Sequence, residues 1–198
     1  MRVRSQWFKS GRPKSPEEIA GAVAFIAWRI AQNALKNTRL AHFDVAVGNQ
    51  YFDFLREFLI FLIQVADRIA YRQFDWNVRV TFTSTLSHRV ADTLAENQAE
   101  LLGGPLADLK TRFIQRLNQC ADDYAGFEYD SQSLNFAFVR YLGHAMQQIM
   151  DGHDQQWVID QMMSIEAPEA ITTLEKAMKG LLDDSPRSAR SSSPGGPE

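Results

Sequence analysis

The amino-acid sequence predicts an all-α protein, a single-domain bundle of five to seven helices around a largely buried second helix. Three observations lead to this prediction. Apolar residues recur at spacings of three and four along most of the chain, as they do on the buried face of a helix. Residues typical of helix starts and ends separate these segments. The one strand-like alternation, at residues 78–85, has no second strand with which it could pair.

The first helix is expected to begin after Ser15 and to end near Leu40. Ser15 can cap a helix, Pro16 suits the first helical position, and two acids follow in the first turn. Five alanines then recur along one face, at spacings of four, three, four and three: Ala20, Ala24, Ala27, Ala31 and Ala34. Side chains this small permit the close approach of another helix, so this face is a candidate contact surface.

The second helix, over residues 51–73, carries the widest apolar face in the chain. Its apolar side chains fill an arc of roughly 200°, which is too wide for a single neighbouring helix. If other helices cover this arc only in part, Phe52, Phe54 and Phe61 at its edges form an exposed apolar patch. Association through a twofold axis commonly covers such a patch. We therefore expect a homodimer or larger symmetric homo-oligomer, with the first or second helix at its interface.

Residues 78–102 are expected to form the third helix. Its first part is ambiguous, because apolar and polar residues alternate over residues 78–83 as they would in a strand. The sequence alone leaves residues 78–85 open between helix and strand, whereas the remainder has clear helical spacing. Residues 103–105, with two glycines and a proline, end this helix and begin the fourth.

Three more helices are expected in the C-terminal part of the chain. The fifth runs from about residue 131 to Gly152, and a shorter helix near residues 155–164 follows it. Pro168 is then expected to open the last helix, because proline is tolerated in the first turn of a helix and disfavoured further inside.

The 198 residues suffice for one buried core, and we expect one helical domain over residues 15–184. The basic tail at residues 1–14 and the Ser/Pro/Gly-rich tail at residues 185–198 offer too little apolar surface to offset their ordering entropy. Both tails are expected to be flexible. The net charge is −3 although both tails are basic, so the helical body is acidic and repels nucleic acids. Nucleic-acid binding is therefore expected only through the N-terminal tail.

The cysteine content and the charge distribution predict the location of the protein. Cys120 is the only cysteine in the sequence, so no disulfide can form within the chain, and a reducing compartment fits best. No stretch longer than ten residues lacks an acidic or basic residue, whereas a membrane-spanning helix needs about 20 apolar residues. We expect a cytoplasmic protein without a membrane span.

Three carboxylates of the second helix, Asp53, Glu57 and Asp67, form a candidate metal site. They lie within about 80° of one another around the helix axis, and carboxylates on one face of a bundle helix can share a divalent metal. Arg56 and Arg68 flank them, however, and the Glu-x-x-His pairs of di-iron bundles are missing. A salt-bridged face without a functional metal is the preferred interpretation, and no cofactor is expected.

A second acidic group, Asp122, Asp123, Glu128 and Asp130, alternates with aromatic residues. Its spacing differs from the Asp-Asp-x-x-Asp motif that binds magnesium and diphosphate, and from the alternating acids of an EF-hand loop. We interpret it as an acidic loop in which Asp130 or Ser131 caps the next helix.

His153 and Asp154 resemble the His-Asp pair of the all-helical HD phosphohydrolases. In that family, histidines and aspartates hold a metal that activates water. The resemblance covers these two residues and implies that further ligands come from other parts of the chain. The candidates for them are His88, His144, Asp160 and Asp183.

The sequence contains no nucleophile elbow, no phosphate-binding Walker loop and no dinucleotide-binding glycine motif. It favours a non-catalytic helical interaction module that self-associates. One alternative is a metal-dependent phosphohydrolase that uses the carboxylates of the second helix or the His-Asp pair. The other is a protein that binds an apolar small ligand in a cavity among its phenylalanines.

Overall fold

The computed structural model describes residues 14–129 and 136–183 and contains no strand within them. Its helices are α1 (Pro16–Leu40), α2 (Asn49–Gln73), α3 (Trp76–Leu102), α4 (Leu106–Ala125), α5 (Phe136–Gln147), α6 (Asp154–Gln161) and α7 (Ala167–Leu182). This arrangement confirms the predicted all-α bundle. The predicted flexible tails, residues 1–14 and 185–198, lie outside the described residues except for Lys14, as do Asp130 and Ser131.

The start of α1 follows the sequence prediction. The backbone N–H of Glu18 donates to Ser15 Oγ at 3.2 Å, and the backbone N–H of Ser15 donates to Glu18 Oε2 at 2.9 Å. This reciprocal pair satisfies two of the amide groups that have no partner at the start of a helix. In the part of the chain that the structure describes, no helix is both long and apolar enough to cross a membrane.

The alanine face of α1 is buried within the chain. All five alanines are at most 7% exposed, and α1 packs along α3, α7 and α2. Helices of the same chain therefore make the close approach that these small side chains permit, and they cover this face.

Helix α2 contacts five other helices, namely α1, α3, α4, α5 and α7. Phe52, Phe54 and Phe61, which were expected at a partially covered edge, are 3%, 0% and 0% exposed. Their rings lie inside the protomer, so none of them is available for contact with another copy. An interface at these three residues was expected from the sequence. In the structure, neighbouring helices instead cover the apolar arc where the three rings lie.

Residues 78–85 are helical, so α3 begins at Trp76 and includes the segment that alternated like a strand. Asp75 caps this helix, because its Oδ1 accepts from the backbone N–H of Val78 at 3.0 Å. Phe82, four residues after Val78, is fully buried, whereas Val80 is 47% exposed. The alternation therefore places its apolar residues on different sides of one helix.

Pro168 does not open a separate helix, because the backbone stays helical from α6 into α7 through a π-helical turn, Met162–Glu166. A proline inside an α-helix lacks an N–H, and its ring crowds the carbonyl group four residues earlier. The π turn relieves this crowding by widening the helix. In it, the N–H of Ala167 donates to the carbonyl group of Met162, five residues back.

Candidate functional site

The corner between α2 and α3 exposes a cluster of two aromatic rings and one arginine. The guanidinium carbon of Arg79 lies 5.0 Å from the centre of the Tyr71 ring and 5.9 Å from that of the Trp76 ring. Both distances are within the range of a cation–π interaction. Tyr71 is nevertheless 66% exposed and Trp76 is 71% exposed. The cation thus orders two large rings that remain open to solvent.

Asp67 of α2 holds the arginine in this position. Arg79 Nε donates to Asp67 Oδ1 at 2.9 Å, and Arg79 Nη2 donates to Asp67 Oδ2. The hydroxyl group of Thr83 also donates to Asp67 Oδ1, at 2.7 Å. The hydrogen bonds from Arg79 to Asp67 raise the pKa of Arg79. The carboxylate therefore neutralises the arginine and fixes its side chain.

A groove of about 370 Å³ lies beside this cluster, between α2, α3 and α4. Its apolar lining consists of Ile63, Trp76, Val80, Leu117 and Ala121. Side chains of Gln64, Asp67, Arg79, Thr83, Ser84, Ser87 and Asn118 supply the polar part. We call Tyr71, Trp76, Arg79, Val80 and this groove the Trp76 surface.

The short link between α2 and α3 explains the exposure of Trp76. Phe74 turns inward and packs edge-to-face on Phe82, with ring centres 5.7 Å apart. Asp75 then caps α3, so Trp76 is its first residue. No earlier turn of the same helix exists on which the indole could pack.

A second polar group surrounds Glu57, which is 5% exposed on α2. Arg116 Nε and Nη2 donate to its two oxygens at 3.0 and 2.9 Å, and Arg56 Nε donates to Oε1 at 3.1 Å. Arg56 also binds Asp53 Oδ1 at 2.6 Å. The hydrogen bonds to Glu57 raise the pKa of Arg116. A cavity of about 360 Å³ borders this network between α2, α4 and α5.

The chain matches no protein-family model, no curated protein and no solved structure. Its function is therefore inferred from the arrangement of its side chains.

The three carboxylates of the candidate metal site do not come together. Asp53 and Glu57 share Arg56, whereas Asp67 pairs with Arg79. Glu57 and Asp67 are ten residues apart, which is about 15 Å along a helix axis. Among the described residues, no group of three or more His, Cys, Asp or Glu side chains could hold a metal ion.

His153 and Asp154 lie at the start of α6, with Nδ1 and Oδ1 3.9 Å apart. Asp154 Oδ2 accepts from the backbone N–H of Asp44 at 2.6 Å, so this carboxylate attaches α6 to the link between α1 and α2. His153 Nε2 accepts from the indole N–H of Trp157 at 3.3 Å. Of the histidines that the resemblance would require, His144 on α5 accepts from Arg140 Nε at 3.1 Å.

Of the group interpreted as an acidic loop, Asp122 and Asp123 lie in α4 instead, and Arg68 of α2 binds the C-terminal end of that helix. Arg68 Nη2 donates to the carbonyl oxygen of Tyr124 at 2.8 Å and to those of Ala125 and Phe127 at 3.3 Å. A cation at this position also stabilises the negative end of the helix dipole. Asp123 Oδ2 accepts from the hydroxyl group of Tyr141 at 2.8 Å. Two further members of the group, Asp122 and Glu128, are exposed.

The Trp76 surface was not predicted from the sequence. The helical wheel places Tyr71 on the polar arc of α2, but it gives no information on which residue of α3 faces it. Two neighbouring features of the sequence do indicate this surface. Trp76 directly follows the capping residue Asp75, and Val80, four residues after Trp76, interrupts the polar side of α3.

Proposed function

We propose that this chain is a non-catalytic helical interaction module that self-associates through the Trp76 surface. The observation that carries the proposal is the arginine held between two exposed aromatic rings beside an apolar groove. Tryptophan, tyrosine and arginine dominate the binding energy of protein–protein interfaces. An exposed cluster of these three residue types is therefore the expected form of a binding site.

The occupant that this surface fits is a second copy of the chain. Trp76 projects an exposed indole and at the same time lines the groove, so one face carries both an anchor and a receptor for it. Rotation about a twofold axis lets each copy place its indole in the groove of the other. Such an interface is self-complementary, because the same residues meet on both sides.

The charges of the Trp76 surface support association between identical copies. The chain carries a net charge of −3, and two acidic surfaces of the same kind would repel each other. In the Trp76 surface, Asp67 and Arg79 neutralise each other. Two copies can therefore meet here without an excess of like charge.

The arginine of this surface is also ordered before binding. Arg79 is fixed by Asp67, and Asp67 is fixed in turn by Thr83. Binding costs less when side chains lose little rotational freedom. The ion pair thus favours association because it orders the Arg79 side chain before binding, whatever the pair itself contributes to the binding energy.

The alternative functions receive less support. The carboxylates suggested for a phosphohydrolase bind different guanidinium groups, Asp67 that of Arg79 and Glu57 that of Arg116. The phenylalanines suggested for a ligand cavity pack on one another, as Phe54 does on Phe58 and Phe61 does on Phe138. Buried Cys120, the only cysteine, fits a reducing compartment, and we expect the module to act in the cytoplasm.

Light scattering and analytical ultracentrifugation test this proposal. We expect the full chain to be a homodimer whose dissociation depends on concentration, and Trp76→Ala to shift it to a monomer. Trp157→Ala is the matched control, because Trp157 is also exposed, at 53%, but lies on α6 outside the groove. It should leave the dimer intact.

Two outcomes would contradict self-association through this surface. One is a wild-type chain that remains monomeric at every concentration tested. The other is equal weakening of the dimer by Trp76→Ala and Trp157→Ala. Melting curves of both variants establish that each remains folded.

A further inference from the structure

A second cavity, of about 200 Å³, lies between α1 and α7 at the π turn. Asn33 and Asn37 of α1 line it together with Glu166, Glu169 and Thr173. One side is apolar and consists of Ile30, Ala34 and Ala170. None of the residues that line this cavity is basic.

Glu166 is a buried acid whose hydrogen-bond partners are neutral. Its side chain is 2% exposed, and Gln161 Nε2 donates to its Oε1 at 3.0 Å. Burial raises the pKa of Glu166, hydrogen bonds from Gln161 and Asn37 oppose this shift, and the negative charge of Glu169 adds to it. The cavity therefore holds a carboxylate that accepts hydrogen bonds from neutral side chains and, among the described residues, forms no ion pair with a cation.

The comparison with Glu57 shows what is missing at Glu166. Glu57 is buried to a similar extent, but two guanidinium groups donate to it. Removing an ion from water is costly unless a counter-charge or full hydrogen bonding compensates. At Glu166 hydrogen bonds supply this compensation, and a cation bound in the cavity would add the counter-charge.

The backbone at Glu166 is unusual as well. Glu166 is the last residue of the π turn, and such turns are rare and occur frequently at functional sites. The extra residue in the turn shifts the register between α6 and α7. This shift brings the carboxylate to the cavity between α1 and α7 while its neighbour Ala167 stays in the core.

We propose that this cavity binds the ammonium group of a small aliphatic amine, with Glu166 as its counter-ion. An ammonium group has three donors and no acceptor, which suits the buried carboxylate of Glu166 in a cavity that Asn33 and Asn37 also line. The apolar side of the cavity receives the alkyl chain. At about 30 Å³ for each water-sized group, the volume corresponds to roughly seven such groups, enough for an alkyl amine of a few carbons.

A hard metal ion fits this cavity less well than an ammonium group. Divalent cations such as Ca²⁺ bind through several oxygens, usually with more than one carboxylate. Here Glu169 is exposed and only Glu166 is buried. The apolar side would also be left without a function if the ligand were a bare ion.

Isothermal titration calorimetry of the full chain tests the proposal with butylamine and 1,4-diaminobutane as probes. We expect saturable binding at one site per chain, and no binding of butanol, which has the same chain without the charge. Glu166→Gln should weaken binding by about tenfold or more, the scale of a hydrogen bond to a charged group. Glu169→Gln should weaken the binding of 1,4-diaminobutane by a smaller factor than Glu166→Gln does.

Glu100→Gln is the matched control, because it removes the same charge from an exposed position on α3 outside the cavity. It should bind both amines as the wild type does. The pH dependence supplies a second readout. Amine binding should weaken as Glu166 becomes protonated, and it should do so at a higher pH than an ordinary carboxyl group would require, because its pKa is raised by burial.

Three results would overturn the proposal. They are the absence of amine binding at millimolar concentrations, equal binding by Glu166→Gln and the wild type, and tighter binding of Mg²⁺ or Ca²⁺ than of either amine at the same residue. Glu166→Gln preserves the shape of the side chain and replaces one acceptor oxygen with an amide donor. Its melting curve identifies any loss of binding that results from unfolding.

Discussion

Arg116 of α4 binds the buried carboxylate of Glu57 on α2 through two nitrogens, at 2.9 and 3.0 Å. The pair connects two helices that are joined only through α3 in sequence. Arg56 approaches the same carboxylate from within α2 and also binds Asp53, so two guanidinium groups balance the two carboxylates of this network.

Removal of Arg116 is expected to destabilise the bundle. Arg116→Met leaves Glu57 buried with Arg56 as its only guanidinium partner, and we expect the free energy of unfolding to fall by about 2 kcal/mol, less than for a fully buried pair because Arg116 is partly exposed. The double variant Glu57→Leu/Arg116→Met removes both charges and should recover part of the loss. Urea denaturation measures the free energy of unfolding of both variants. A double variant that is less stable than Arg116→Met would contradict this explanation.

Asp67→Asn is expected to weaken the proposed dimer while retaining the fold. Arg79 loses its ionic partner and becomes free to move between the rings, so dimer affinity should fall by about fivefold, since the pair is worth on the order of 1 kcal/mol. Sedimentation equilibrium measures this change. Asp92→Asn is the control, because Asp92 pairs with Lys110 at 2.7 Å outside the Trp76 surface. Equal effects of the two variants would argue against a specific role of Asp67.

Divalent metals are expected to leave the melting temperature unchanged. The carboxylates of Asp53 and Glu57 bind Arg56, and that of Asp67 binds Arg79, so none is free to bind Mg²⁺, Mn²⁺ or Zn²⁺ without breaking an ion pair. A ligand that binds only the native state must raise its stability. A saturable upward shift of the melting temperature that disappears in Asp53→Asn would establish a metal site instead.

Glu166→Gln is expected to stabilise the protein at neutral pH. The variant removes a buried charge and keeps the shape of the side chain and one acceptor oxygen, and a gain of about 1 kcal/mol is the expected scale. Because burial raises the pKa of Glu166 in the folded state, the wild type takes up a proton on folding when the pH lies between the unfolded and folded pKa values. Its stability from this group therefore increases as the pH falls through that window.

The difference in unfolding free energy between Glu166→Gln and the wild type should consequently be largest at neutral pH and shrink as the pH is lowered. Glu169, the charged side chain facing Glu166 from α7, can be tested in the same way with Glu169→Gln. Thermal and urea unfolding at several pH values provide the measurement. A difference that is independent of pH would mean that Glu166 does not titrate in this window.

Local sequence patterns determined most of the helices of this protein. The start of α1 depends on the reciprocal hydrogen bonds between Ser15 and Glu18, and such local contacts can be deduced from neighbouring residues. The same holds for the apolar spacing within α2 and α4. Residues 78–85 were ambiguous because a short alternation fits either structure, and packing of Phe82 against the core decided in favour of the helix.

Tertiary structure decided which surfaces are covered and which charges meet. The sequence determined that α2 has a broad apolar arc, but only the arrangement of five neighbouring helices buried Phe52, Phe54 and Phe61. Likewise, the wheel of α2 placed Asp67 near other acids, whereas the fold paired it with Arg79 of α3. The physical reason is that helical periodicity depends on residues three and four apart, while burial and ion pairing between helices depend on how distant segments pack.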